Sequence, residues 1–280
     1  MLQFRHFPPH PALTGIVRDY WLLEAGSSPA SLDLVPDGYP ECFFSLEHRI
    51  LFRMAAGDWQ RFPAAGMIGQ LTGTFSIEVP AFCRLLSVKL YPWAAQALFG
   101  QPAWELNNLA PELEALAPCR ELRTLADRIG TEPGFEKMRL LLDQFFLNKL
   151  RSKPEMAGNP FLRFSVQKIF GSQGTLPLDG LTGKTQASRR YLEKQFKTHI
   201  GLSPKLYARV IRVKKASICL LDPAYRGNLA TIAASLDYFD QSHFLKDFKA
   251  IVGKSPTAFL AGASFPLNNV EDYLGQWDYS

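Results

Sequence analysis

Two short motifs in this 280-residue chain each occur twice, at one fixed separation. Gly201-Leu-Ser-Pro204 returns as Gly253-Lys-Ser-Pro256, and Phe196-Lys197 returns as Phe248-Lys249, each pair 52 residues apart. Two independent pairs at one spacing are most simply read as the duplication of a structural unit. The stretch from Leu176 to Ala261 must therefore fold as two similar units with a connection between them.

Both copies read the same way. In the first, Leu178 to Lys184 is a short helix and Thr185 to Ala187 a turn. Ser188 follows as an N-cap, its hydroxyl suited to the free N–H groups of a first helical turn. In the helix Arg189 to His199, Leu192 and Phe196 share one face, and the charged residues lie elsewhere. Gly201-Leu-Ser-Pro204 stops that helix and starts a long one to Leu221, decorated by Arg209, Arg212, Lys214 and Lys215. In the second copy, Leu229 to Leu236 is the short helix, with Ile232 and Ala233 inward. Asp237-Tyr238-Phe239 is the turn and Asp240 the N-cap. Gln241 to Ile251 is the second helix, with Phe244 and Phe248 inward. A short helix, a tight turn and a second helix with a polar outer face is helix-turn-helix logic, a shape that fits the DNA major groove.

Charge agrees with that reading. Residues 160–262 hold 16 Lys/Arg and 6 Asp/Glu, a net of +10, although the whole chain carries only +5. Residues 1–159 carry −2 and the tail from Ala263 carries −3. A localised basic excess is the electrostatic footprint of a polyanion.

The first part reads differently. Ile16 to Leu23, Cys42 to Leu46, Ile50 to Met54, Phe75 to Val79 and Leu85 to Tyr91 are short runs of β-formers separated by turn residues. The fold class expected is α+β: an N-terminal antiparallel β-barrel or sandwich, cupin-like, with flanking helices, then an all-α domain of two helix-turn-helix units joined by a long helix. The flanking helices are expected at Pro92 to Phe99, Glu112 to Ile129 and Phe135 to Leu150. The apolar stripe of the last packs on the barrel or forms a homodimer seam. The aromatics of the β-rich part form either a plain core or a small-molecule pocket; Trp21, Tyr39, Phe43, Phe75 and Tyr91 are the pocket candidates. The polar stretch Arg151 to Pro160 holds two prolines and reads as a linker. The expected organisation is residues 1–155 for ligand sensing or dimerisation, 156–262 for DNA binding, and 263–280 as an acidic tail.

The duplicated stretch resembles the DNA-binding domain of AraC/XylS-family bacterial transcription regulators. The residues that carry the likeness are Ser188-Arg-Arg-x-Leu-Glu-x-x-Phe-Lys, Gly201-x-Ser-Pro-x-x-Tyr, Arg212-x-x-x-Ala216, Ile232-Ala, Asp240-Gln-Ser-His-Phe-x-x-x-Phe-Lys and Gly253-x-Ser-Pro256. Tyr20-Trp21, Leu34-Val-Pro-Asp-Gly38 and Leu86-Ser-Val-Lys-Leu-Tyr-Pro92 resemble a sensor domain of some of these regulators. The resemblance implies two reading helices in adjacent major grooves, with RNA polymerase as a further partner. By position it implies Arg190, Glu193 and Lys194, then Gln241, Ser242, His243 and Lys246, as base readers. Ser188, Arg189, Lys197 and Lys249 suit phosphate. Arg190 matches guanine, Gln241 adenine and Glu193 cytosine N4. The family usually places glycine in each turn; Gln186 and Asp237 stand there instead, and Asp tolerates a positive φ better than Gln.

Other chemistry finds little support. No catalytic constellation, cofactor motif or metal-ligand set emerges. His6 and His10 are separated by Pro8 and Pro9, which deny them a shared helical face. Leu178-Asp-Gly-Leu-Thr-Gly-Lys-Thr185 imitates a phosphate loop but lacks the first glycine and a preceding strand. Four scattered cysteines, no apolar leader and no run of about 20 apolar residues point to a cytoplasmic protein without a membrane partner.

Overall fold

The computed structural model describes residues 2–47, 50–55, 57–113, 115–116, 120–177, 180–181, 188–222 and 228–262. Among the described residues, nine strands make two antiparallel sheets. The first has the order β1 (Leu2–Phe7), β2 (Val17–Ala25), β9 (Arg84–Leu90), β4 (Glu41–Ser45), β7 (Ala65–Ile68). The second has the order β3 (Ala30–Leu34), β8 (Phe75–Val79), β5 (Leu51–Met54), β6 (Gln60–Arg61). The described strands stay in two separate sheets, so the sandwich is the architecture adopted and the barrel is not. The first sheet is covered on both faces. Trp21, Leu23, Phe43 and Leu85 point between the sheets, while Tyr20, Leu22, Phe44 and Leu86 point to the helices. This two-sided burial explains why β2, β4 and β9 read as nearly continuous apolar runs.

Helices α1 (Ala94–Phe99), α2 (Arg120–Thr131) and α3 (Phe135–Ser152) cover the outer face. Of the helix expected from Glu112 to Ile129, the described part runs from Arg120. Glu112 instead pairs with Gly66 in an isolated β-bridge, and Leu113 and Leu116 are buried without being helical. Apolar spacing alone could not tell these cases apart. The stripe of α3 packs inward through Met138, Leu142 and Phe146, while Leu140 stays exposed. The polar stretch 151–160 is pinned rather than loose. Met156 is buried, Lys153 Nζ donates to the carbonyls of Ala97 and Leu98, and Asn159 caps α4 (Pro160–Gly171).

The first reading helix (Arg189–His199), the connector helix (Pro204–Leu221), a short helix (Leu229–Ser235), the second reading helix (Gln241–Val252) and a terminal helix (Pro256–Ala261) complete the fold. The repeated Gly-x-Ser-Pro motif has a local cause. Gly201 and Gly253 take φ of +97° and +80°, Ser203 and Ser255 cap the next helices, and each proline fills the first turn. Asp237 adopts φ +59° in the second turn. Gln186, most of the phosphate-loop mimic and the acidic tail lie outside the described residues. One apolar core runs without a break from Leu22 and Val88 of the first sheet, through Trp93, Met156 and Phe170, to Phe196, Tyr207, Phe244 and Phe248.

Candidate nucleic-acid interface and the cavity behind it

Both reading helices start from a side-chain cap. Ser188 Oγ accepts from Tyr191 N–H at 3.2 Å, and Asp240 Oδ1 accepts from His243 N–H at 2.7 Å. Leu192, Phe196, Phe244 and Phe248 anchor them in the core. Arg190, Glu193, Lys194, Gln241, Ser242, His243 and Lys246 are all exposed, as are Ser188, Arg189, Lys197 and Lys249. Glu193 shares its carboxylate with Arg189 at 3.4 Å, a surface pair weak enough for a base to displace. Phe239, in the turn just before the Asp240 cap, is 93% exposed. The sequence around it gave no sign of this exposure.

The opposite ends of the reading helices are held by the N-terminal half. The carbonyl of Gly201, just past the first helix, accepts from Asn107 Nδ2 at 2.7 Å. His199 Nδ1 lies 3.1 Å from Gln96 Oε1, and burial lowers the imidazole pKa. Lys197 Nζ sits 5.7 Å above the Trp104 ring. At the second helix, Thr74 N–H donates to Ile251 O at 3.2 Å and Thr74 Oγ1 to Val252 O at 2.8 Å. Lys254 Nζ meets Asp33 Oδ2 at 2.5 Å, and Ser76 Oγ also donates to Asp33. Thr74 thus satisfies two helix-end carbonyls that the second helix cannot bond internally, and Asn107 holds the chain just past the first.

The connector helix makes the third contact. Tyr207 Oη donates to Gly38 O at 3.1 Å and Gln70 Nε2 donates to the same oxygen at 2.8 Å; beside it, Phe170 of α4 stacks on Tyr39 at 5.1 Å. Two turns further on stands Lys214, only 4% exposed. Read from sequence as a surface decoration, it instead lines a cavity inside the N-terminal half.

That cavity lies between the sheets and has a volume of about 70 Å³. Phe4, Trp21, Phe43, Phe62, Phe75 and Ile77 form its apolar wall; His6, Asp37, Glu41, Lys89 and Lys214 form a polar end. Glu41 accepts from Ser87 Oγ at 2.7 Å and Trp21 Nε1 at 3.1 Å. Lys89 Nζ lies 2.6 Å from Asp37 and 3.5 Å from Glu41. Burial pulls the Lys89 pKa down, but Asp37, Glu41 and Asp19 outweigh it and hold the group protonated. Burial raises the Glu41 carboxyl against the pull of Lys89. Burial wins at Lys214 and pushes its pKa down to about 8, despite Asp37 and Glu41.

Residues 181–262 match the family described as a helix-turn-helix domain, and residues 5–111 match a family described only as a domain of unknown function. The Msm operon regulatory protein of Streptococcus mutans is 35% identical over 96 residues, 34% of this chain and 34% of its own length. The F1 operon positive regulatory protein of Yersinia pestis is 36% identical over 72 residues, 26% of this chain and 23% of its own. The match thus spans about a third of the first relative and a quarter of the second. Among solved structures, an apo single-residue variant of ToxT from Vibrio cholerae aligns over 86% of this chain and 96% of its own, with 12% identity and a TM-score of 0.46. Residues 181–262 are thus a helix-turn-helix domain, and the chain is similar over part of its length to two operon regulatory proteins.

The candidate base readers fall into two exposed sets, one on each reading helix. Of the pocket candidates, Trp21, Tyr39, Phe43 and Phe75 line the cavity. Tyr91 does not; it stacks on Trp93 at 4.9 Å, on the helical side of the first sheet. The polar end was missed altogether. Among the described residues, no cluster of three or more His, Cys, Asp or Glu side chains offers a metal site, and no helix is long and apolar enough to cross a membrane. Cys42, Cys83 and Cys219 are buried.

Proposed function

We propose that this chain is a sequence-specific DNA-binding transcription regulator, governed through its N-terminal half by a small molecule. The observation that carries the reading is the pair of capped reading helices, both rooted in one core and both presenting an exposed polar set. Arg190 and Gln241 have the shapes for guanine and adenine, and Phe239 suits a thymine methyl group. The tests are gel shifts with the chain's own upstream promoter against a scrambled duplex. Equal, wholly salt-labile affinity for both would defeat specific recognition. Arg190→Ala or Gln241→Ala is expected to cost ~1–3 kcal/mol of binding and to relax the preference at one base pair. A loss that is uniform across sequences would make that residue a phosphate contact.

The cavity supports an effector with an apolar body and one polar head. The apolar wall takes the body, and Asp37, Glu41 and Lys89 exchange hydrogen bonds with the head. Because Lys214 belongs to the connector helix, an occupant touches the reading domain directly. The present free volume is small, so the sheets must part to admit a ligand of ordinary size. That observation also favours a second reading, in which the domain serves only protein–protein contact. Thermal-shift screening separates the two. A ligand at a hundredfold excess over its Kd is expected to stabilise the fold by about 2.7 kcal/mol, and apolar acids or amines that leave the melting temperature unmoved favour the second reading.

The exposed Leu140 on α3 offers an edge for a homodimer, and RNA polymerase is the further partner that such regulation requires. The reading places the protein in the cytoplasm and assigns it no enzymatic activity.

A further inference from the structure

A second opening lies in the reading domain itself. It is a cleft of about 570 Å³, bounded by the chain from Gly174 to Pro177, by Arg189 and His243 of the two reading helices, and by Lys205 and Arg209 of the connector. Its floor is already committed. Arg209 holds Asp247 through bonds of 2.8 and 3.3 Å, and Arg212 donates twice to Gly174 O, at 2.6 and 3.1 Å. Its rim is different. Arg189, Lys205 and His243 are exposed, and Asp247, the acid among the described lining residues, is neutralised below them.

The placement of this cleft is informative. It joins the first turns of both reading helices and the first turn of the connector. If the two helices enter adjacent major grooves, the minor groove and its phosphates must pass between them. Lys205, in the first turn of the connector, is exposed at the rim between the two helix starts.

We propose that the cleft is a binding site for the DNA phosphodiester backbone between the two reading sites, with Lys205 and Arg189 as its phosphate contacts. The site is independent of base sequence, because phosphate contacts fix position and carry no code. It extends the interface from two separate helices to a continuous surface that includes the connector. The proposal rests on the DNA-binding reading above.

The test is equilibrium binding of the full chain to promoter and scrambled duplexes, over a salt range of roughly 50 to 200 mM, with Lys205→Ala, Lys205→Gln and Lys137→Ala. Lys205 is exposed and near a helix start, so melting curves serve as the folding control. Each Lys205 variant is expected to weaken binding to both duplexes by the same factor. The log–log salt slope should become shallower by about 0.9, the value for one lost phosphate contact. Lys137→Ala, on α3 of the N-terminal half, should change neither quantity. Wild-type binding with Lys205 variants of unchanged affinity and slope overturns the cleft assignment alone. Weakened binding with an unchanged slope also overturns it, since the contact is then not to phosphate. Absence of wild-type binding to any duplex overturns the DNA-binding reading, and the cleft assignment with it.

Discussion

Gly38→Val is expected to cost roughly 3 kcal/mol or more of stability and to loosen the N-terminal half from the connector helix. Gly38 sits at φ +81°, where a β-branched residue is strained by about 1–3 kcal/mol. Space is also lacking. A Cβ there would stand 2.7 Å from Ile211 Cδ1 and 3.0 Å from both Cε2 and Oη of Tyr207. Overpacking of this kind typically costs about a further 1–3 kcal/mol. The displaced Tyr207 would also give up its bond to Gly38 O. Urea denaturation and limited proteolysis check this outcome: the midpoint should fall, and cleavage between the two halves should become faster. Gly38→Ala should show a smaller form of the same effect. Unchanged midpoints for both would mean that the contact is far softer than its geometry indicates.

Lys214→Met is expected to stabilise the protein at pH 7 and to lose that advantage as the pH approaches 10. The folded pKa of about 8 lies below the unfolded value of 10.5. Below pH 8 both states hold the proton, and the folded state bears the whole cost of a buried ammonium. Between 8 and 10.5 the unfolded state binds more protons, so wild-type stability rises with pH. The rise is on the order of 3 kcal/mol. Methionine has no proton to lose and fills a similar volume. The gap between variant and wild type, read from urea midpoints, should therefore narrow from pH 7 to pH 10. A gap that is constant with pH would show that Lys214 does not titrate in this window.

These two residues also show what could be read from the chain and what could not. Ser188, Asp240 and the two Gly-x-Ser-Pro turns act within a few residues of themselves, so their roles were legible. So were Leu192, Phe196, Phe244 and Phe248, whose spacing matches a helix face. Lys214 was not. On a helix that also carries Arg209, Arg212 and Lys215, a lysine reads as solvated, and only the neighbouring sheet shows that it is enclosed. Gly38 was visible as part of a turn signal, but its partner Ile211 lies far away in sequence. Among the strands, Ala30–Leu34 escaped notice because it alternates over only five residues, two of them polar. Glu112 to Leu116 misled in the other direction, because buried leucines need not be helical. Of the candidate site, the two exposed reading surfaces were local and legible. The charged end of the cavity was assembled from β1, β4, β9, the loop after β3 and the connector, and no local pattern records such an assembly.

The tie between Thr74 and the last carbonyls of the second reading helix, matched by Asn107 beyond the first, has a consequence for the genome rather than for the protein. With each reading helix fixed at its far end to one N-terminal half, the two cannot slide or swivel independently. Under the function proposed above, an operator for this protein is a ruler with fixed marks. One base pair added between its half-sites shifts the second by about 3.4 Å and turns it by about 35°. A bracketed pair of helices cannot follow such a shift, so spacer length should be as invariant among true target sites as the bases that are read.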